Sequence, residues 1–266
     1  MYSTPTPLWR LSQGQLNLLA TCPRKFQHIY FEQLGSPVSP EQLERQGLGS
    51  RFHLLMQQRE LGLPVERLAQ EDAQMHRWVT ALVETAPEIL QPNPESFRDS
   101  EHLRTVVVQD YLLTVIYDLL IADTTSAQIL DWKTYLRPKD RRSLAKDWQT
   151  RLYLYVLAET SDYLPEQLSM SYWFVQSRPE PQSEKFTYNS TQHEQTRQDL
   201  RALLTQLTSW RERYQTQGID FPQVAPTVGD CQTCNFVARC DRTEESLSTN
   251  EEDRLRDLAD IQEVSL

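Results

Sequence analysis

Apolar residues recur at helical spacing through the first third of the chain and then shift to alternation. From Leu11 to Leu34, Ser12 and Gln15 form a capping-box pattern ahead of Leu16, Leu18 and Leu19, predicting a short helix. Cys22-Pro23 interrupts it, and Arg24 to Phe31 resumes a helical, aromatic-rich pattern. Two more helices are predicted over 41–61 and 65–85, separated by Gly62-Leu63-Pro64 and ended by Pro87. Beyond the loop Gln91 to Glu95 the pattern becomes β-branched. Residues 103–108 and 111–121 read as an antiparallel pair turning at Gln109-Asp110, and 127–132 as a third strand after the turn residues Asp123 to Ser126. A long helix over 143–160, a strand over 168–176, an edge strand over 185–188 and a helix from a Thr191/Glu194 capping box to about Tyr214 complete the series. Residues 221–237 read as a loop and 244–266 as an acidic, frayed tail.

This order predicts an α/β chain: a central mixed sheet flanked by helices, with a helical region over 36–98 ahead of it. Residues 1–243 are expected to form one domain, followed by the tail 244–266. The 266 residues, 39% of them hydrophobic and 9% aromatic, suffice for a buried core. The N-terminus lacks a basic and apolar leader pattern, and no apolar run approaches the ~20 residues of a membrane span, so a cytoplasmic protein with no membrane partner is expected. A net charge of −10 argues against a uniformly basic nucleic-acid binder but leaves room for a local basic groove.

The segment Ile129-Leu130-Asp131-Trp132-Lys133 ends an apolar strand with an acid and a lysine two residues apart, which period two puts on one face. Asp118 falls on the neighbouring strand, so two carboxylates can converge beside one ammonium. Phosphodiester hydrolysis uses such a set: hard oxygen ligands for Mg²⁺ or Mn²⁺, and a cation beside the reacting phosphate. Glu101, just before the first strand, could add an oxygen, and His53 on a preceding helix an imidazole. Gln149 and Tyr153, four apart, share a helix face that could reach the same place. Taken singly, each is also an ordinary strand-end charge, surface residue or helix edge.

As an ordered set, His53, Glu101, Asp118, Asp131-x-Lys133 and Gln149-x-x-x-Tyr153 resemble the RecB-like nucleases of the PD-(D/E)xK superfamily, over about residues 10 to 240. The resemblance implies a restriction-endonuclease-like fold, with Asp118 and Asp131 as metal carboxylates and His53 and Glu101 as further ligands. It also implies a backbone carbonyl after Asp131 as another oxygen, Lys133 as the catalytic lysine, and Gln149 and Tyr153 positioning DNA and the active site. Tyr117 stands where the family commonly has glycine, and Asp123 is a second acid nearby.

All four cysteines fall in one pattern, Cys22 near the start and Cys231-x-x-Cys234-x-x-x-x-x-Cys240 near the end. Such spacing points to a metal site, either a [4Fe–4S] cluster or structural Zn²⁺. The one-plus-three division is similar to the iron–sulfur RecB-like nucleases, including AddB-type domains and CRISPR-associated exonucleases, which implies a cluster stapling the two ends.

The richest basic stretch holds Arg137, Lys139, Arg141, Arg142 and Lys146 with Tyr135 and Trp148, and Arg24, Lys25 and Arg51 could add phosphate contacts. There is no Gly-x-x-x-x-Gly-Lys loop, so any helicase activity would come from a partner in a nuclease complex. The expected function is a metal-dependent DNA nuclease, an exonuclease on single-stranded ends in repair, recombination or CRISPR-type processing. The alternative is a catalytically silent DNA- or partner-binding module of the same fold.

Overall fold

The structure is a computed structural model describing residues 8–35, 38–65, 67, 72–90, 93–135, 140–225 and 231–242. The acidic tail, part of the segment between the two early helices, and Arg137 and Lys139 lie outside the described residues.

The chain opens with a three-residue strand, β1 (Trp9–Leu11), too short to leave a periodic signal in the sequence. Helix α1 (Gln13–Thr21) follows, capped as expected by Ser12 and Gln15. Cys22 ends α1 and caps α2 (Pro23–Tyr30), its Sγ accepting from Lys25 N at 3.4 Å. Pro23 sits at the first helical position, where its missing N–H costs nothing. Two further helices, α3 (Pro40–Glu60) and α4 (Ala73–Thr85), and the single turn α5 (Pro87–Leu90) precede the sheet.

The six-stranded sheet is mixed. Strand β2 (Phe97–Val108) pairs antiparallel along the whole length of β3 (Tyr111–Ala122) and fills one of its edges. The other edge is shared end to end: β1 runs parallel to residues 111–113, and β4 (Ala127–Lys133) runs antiparallel to residues 119–122. Between these partners β3 leaves a fork. Beyond β4 come β5 (Leu168–Phe174), parallel, and β6 (Gln182–Thr187), antiparallel.

Strand β2 begins well before the expected residue 103, so Glu101 lies inside it rather than ahead of it. The predicted helix over 143–160 is two helices, α6 (Arg141–Lys146) and α7 (Trp148–Glu159), broken where the Asp147 side chain accepts from Gln149 N at 2.7 Å. Helix α8 (Ser190–Gln217) is capped by Asn189, not by Thr191, and ends on Gly218 at φ +67°, a left-handed conformation that glycine adopts freely.

Two apolar cores lie on opposite faces of the sheet. One packs Leu152, Val156 and Leu157 of α7, with α1, α2 and α8, against Tyr111, Leu113, Val115, Tyr117 and Leu120 of β3. The other packs Phe52 and Met56 of α3 and Trp78 and Leu82 of α4 against Leu119, Leu130 and Trp132. Odd-numbered residues of β3 face α7 up to Tyr117, yet Leu119 faces α3 and Leu120 faces α7. The alternation changes phase at Asp118, beside the fork.

Candidate active site

Asp118 and Glu101 stand opposite each other in register, between the pairs Ser100↔Leu119 and His102↔Tyr117, at the step where the β2–β3 ladder is broken. Glu101 takes φ +52°, a left-handed conformation unfavourable for a side chain with a Cβ. On the fork side, Asp118 Oδ2 accepts from Trp132 N at 2.6 Å in place of the lost strand pairing. The Asp118 carboxylate therefore holds the end of β4 in position.

His53 of α3 closes the group. Its Nδ1 is 3.3 Å from Asp118 Oδ1 and its Nε2 is 3.1 Å from the Trp132 carbonyl. His53, Glu101 and Asp118 each bring a ligand atom within 4.8 Å of the others, all partly buried. A neutral imidazole carries one proton, so one of its two nitrogens would face an oxygen acceptor with no hydrogen between them. A cation seated among these groups would satisfy both contacts, with Nε2 donating to the Trp132 carbonyl and the Nδ1 lone pair turned to the metal. An imidazole with two carboxylates, beside a backbone carbonyl, is a donor set that suits a divalent metal.

Asp131 points elsewhere. It is 2% exposed, its Oδ1 lies 2.6 Å from Lys133 Nζ, and its Oδ2 accepts from Gln149 Nε2 at 2.6 Å. Gln149 Oε1 in turn accepts from Lys133 Nζ at 2.9 Å, closing a three-membered ring of contacts. Asp131 Oδ1 is buried and receives no directed hydrogen bond, which leaves acceptor capacity next to the Asp118 group. Burial pushes the Asp131 carboxyl well above the usual carboxylate range; Lys133 opposes this and the Asp118 charge adds to it. For Lys133, burial favours the neutral amine, but the Asp131 carboxylate outweighs it and keeps the ammonium protonated. Its Nζ also sits 5.3 Å from the centre of the Tyr172 ring.

Tyr153 lies one turn beyond Gln149. Its ring stands edge-on to Tyr117 at 5.2 Å, and its carbonyl accepts from the Tyr117 hydroxyl at 3.0 Å, fixing α7 to β3. Burial, and then the Asp131 and Asp118 charges, hold its phenol above the ordinary tyrosine range.

The structure thus brings His53, Glu101 and Asp118 into one group and Asp131, Lys133, Gln149 and Tyr153 into an adjoining one, with Trp132 between them. Asp123 belongs to neither: its carboxylate accepts from Thr125 N and Ser126 N and shapes the β3–β4 turn. The backbone carbonyl expected after Asp131 is that of Trp132, which faces His53. Tyr172 is the contributor invisible to sequence reasoning: the parallel β4–β5 register brings it beside Asp131.

Arg141 is bound to Glu184 at 2.6 Å, Arg51 to Asp72 at 3.3 Å and Arg24 to Asp220 at 2.8 Å. Trp148 is a core residue with Arg151 over its ring at 4.5 Å, not an exposed stacking platform. Arg142 and Lys146 remain exposed.

The model of one nuclease family, the PD-(D/E)XK nuclease superfamily, matches residues 10–241. The chain belongs to this superfamily. PD-(D/E)XK nucleases use divalent metals, and the His53, Glu101 and Asp118 group is a possible site for one. Among solved structures, a candidate exonuclease from Eubacterium rectale is similar with a TM-score of 0.53 at 8% identity, covering 92% of each chain. That likeness is one of fold. A second structure, SSO0001, gives a TM-score of 0.39 at 12% identity over 91% of this chain and 90% of its own. No curated protein matches the sequence. Among the described residues, no helix is long and apolar enough to cross a membrane.

Proposed function

We propose that this PD-(D/E)XK nuclease is a divalent-metal-dependent deoxyribonuclease acting as an exonuclease on single-stranded DNA ends. The observation that carries the reading is the junction at Trp132. On one side lie the acceptor groups of His53, Glu101 and Asp118; on the other, a protonated Lys133 is held by Asp131 and Gln149.

His53, Glu101, Asp118 and Asp131 would hold Mg²⁺ or Mn²⁺, and such a cation supplies Lewis-acid neutralisation of a scissile phosphate. Lys133, held by Asp131 and Gln149, is placed to stabilise negative charge developing on the phosphate. Gln149 fixes the ammonium and one carboxylate oxygen together, so neither can swing away. Tyr153 secures α7, and Arg142 and Lys146 are the exposed cations suited to the phosphate backbone.

The cysteines support a second cofactor, a [4Fe–4S] cluster, with structural Zn²⁺ as the competing occupant. Cys22 sits at the α1–α2 junction and the others lie on two short turns, Cys231–Thr233 and Ala238–Cys240, with Cys234 following the first of them. Burial raises the Cys240 thiol; Arg24 lowers it, and the charges of Cys22 and Cys234 add to it, so these groups are electrostatic neighbours. Arg242 Nη1 donates to Cys231 Sγ at 3.0 Å. Four soft donors from the two ends of one domain, residues 1–243, fit a staple. The place of such an enzyme is repair, recombination or CRISPR-type processing, with a helicase or nuclease-complex partner where duplex must be opened.

The test is degradation of end-labelled single- and double-stranded DNA by anaerobically purified protein with Mn²⁺ or Mg²⁺, beside Asp131→Ala and Lys133→Ala. Metal-dependent shortening from an end, lost in both variants, is expected. Wild-type protein that binds DNA but cuts it under neither metal would be a binding module of the same fold. Iron content and visible absorbance of the same sample separate cluster from zinc.

A further inference from the structure

We propose that Asn17 is a positioning residue for the active site, acting through Asp147 on the Gln149 side chain; this inference rests on the nuclease reading above. Asn17 lies in α1, far from the reacting groups in sequence. Its carboxamide makes a two-point contact with the start of α7: Nδ2 donates to Asp147 Oδ1 at 2.7 Å, and Oδ1 accepts from Trp148 N at 3.0 Å. The same Asp147 Oδ1 accepts from Gln149 N at 2.7 Å. Gln149 then donates to Asp131 and accepts from Lys133. Hydrogen bonds link α1 through Asp147 to the Gln149 backbone, and the Gln149 side chain carries the link on to the Lys133 ammonium.

The physical need for it lies in the helix start. The first N–H groups of any helix lack intrahelical partners, and here Trp148 N and Gln149 N are satisfied by Asn17 and Asp147. Later turns of α7 are fixed by burial of Leu152, Val156 and Leu157, but Gln149 belongs to the first turn. A shift there moves the carboxamide against Asp131 and Lys133, and misplacements of about 1 Å can cost on the order of a hundredfold in rate. Asparagine supplies one donor and one acceptor on a short side chain, which matches this two-point contact; aspartate supplies acceptors only.

The test uses three variants of the full chain: Asn17→Asp, Asp147→Ala, and both together. Asn17→Asp removes the donor and sets two carboxylates face to face. Asp147→Ala removes the oxygen that accepts from both Asn17 and Gln149 N. In the double variant the new carboxylate at position 17 has no carboxylate to face, so effects carried by this contact do not add in the cycle.

Two readings are taken. In metal-free protein, the Gln149 side-chain amide resonance and the hydrogen exchange of the Trp148 and Gln149 amides report the helix start without any cleavage. With Mn²⁺ and single-stranded DNA, kcat and KM report its consequence. The expected result for Asn17→Asp is a shifted Gln149 resonance, faster exchange and a kcat about tenfold lower, with KM within about twofold. The double variant shows no further loss beyond Asp147→Ala alone. An unchanged resonance, an unchanged kcat, or losses that simply add in the double variant would overturn the proposal. Absence of cleavage by wild type would sink the nuclease reading instead, with the resonance and exchange data still deciding whether Asn17 sets Gln149.

Discussion

Glu101 and Asp118 face each other across the β2–β3 ladder at the step where the strands do not pair, and Glu101 is held at φ +52° to do so. Strained backbone beside a group of potential metal ligands is a cost that a fold carries for function. Glycine tolerates this conformation, whereas alanine retains the strain and both lose the carboxylate. Glu101→Gly is therefore expected to be more stable than Glu101→Ala by about 1 kcal/mol in the presence of a chelator. Both should show a smaller rise in Tm on adding Mn²⁺ than wild type. Equal stability of the two variants would mean that Glu101 is not strained in solution.

The Asp131–Lys133 pair makes a different prediction, because both groups are removed from water. Lys133→Met keeps the length of the side chain and deletes its charge, leaving a buried carboxylate beside Asp118. Breaking a buried pair from one side costs about 3 kcal/mol. The variant should lose cleavage and, without metal, unfold at a lower temperature. Divalent cations should recover part of that stability, since they can neutralise the stranded carboxylate. Thermal unfolding with and without Mn²⁺ measures both effects, and a variant as stable as wild type in chelator would argue against the pairing.

Gln149→Ala should separate positioning from charge. It removes the contacts to Asp131 and Lys133 but leaves both ionised groups in place. We expect kcat to fall about a hundredfold with little change in DNA affinity. A large rise in KM with kcat intact would instead place Gln149 on the substrate.

Much of this site is legible before any fold is known, and the limits are instructive. Period-two alternation puts Asp131 and Lys133 on one strand face, and helical spacing puts Gln149 and Tyr153 on one face of α7. Glu101 escaped placement in a strand because Asp99-Ser100-Glu101-His102 has little β-propensity; the long pairing with β3 is what extends it. The break at Asp147 is masked because apolar periodicity runs through it on both sides. Arg141, Arg51 and Arg24 could be offered as phosphate contacts because their partners Glu184, Asp72 and Asp220 are remote in sequence. Whether a charge is available is decided by tertiary neighbours, which local patterns do not report.

The cysteines should tie the ends of the domain together. Cys240→Ser is expected to lower iron content and Tm together, because a bound cluster adds its binding free energy to the folded state. Hydrogen exchange should rise first in α2, which also holds the segment before the cysteines through Arg24 to Phe221 O at 2.7 Å and Gln27 to Asp220 at 2.7 Å. Loss of iron with unchanged Tm and exchange would show that the thiols do not staple the fold.

Glu159, the last residue of α7, gives the stability of the domain an acid dependence. Burial pushes the Glu159 pKa up, and the end of a helix is itself an unfavourable place for a carboxylate. Hydrogen bonds from Arg197 and His193 of α8, both at 2.8 Å, more than offset this and leave the carboxyl below its ordinary value. A carboxyl with a depressed folded pKa contributes stability that is present above the unfolded pKa of about 4.3 and is lost as pH falls through the folded value. Because Arg197 is 34% exposed and Glu159 29%, solvent screening limits the contribution to about 1 kcal/mol. Glu159→Gln keeps the shape and loses the charge, so wild type should exceed it in Tm at pH 7 and the gap should close towards pH 3. Thermal melts across that range decide it: a gap independent of pH would assign the difference to packing at the α7–α8 contact rather than to the charge.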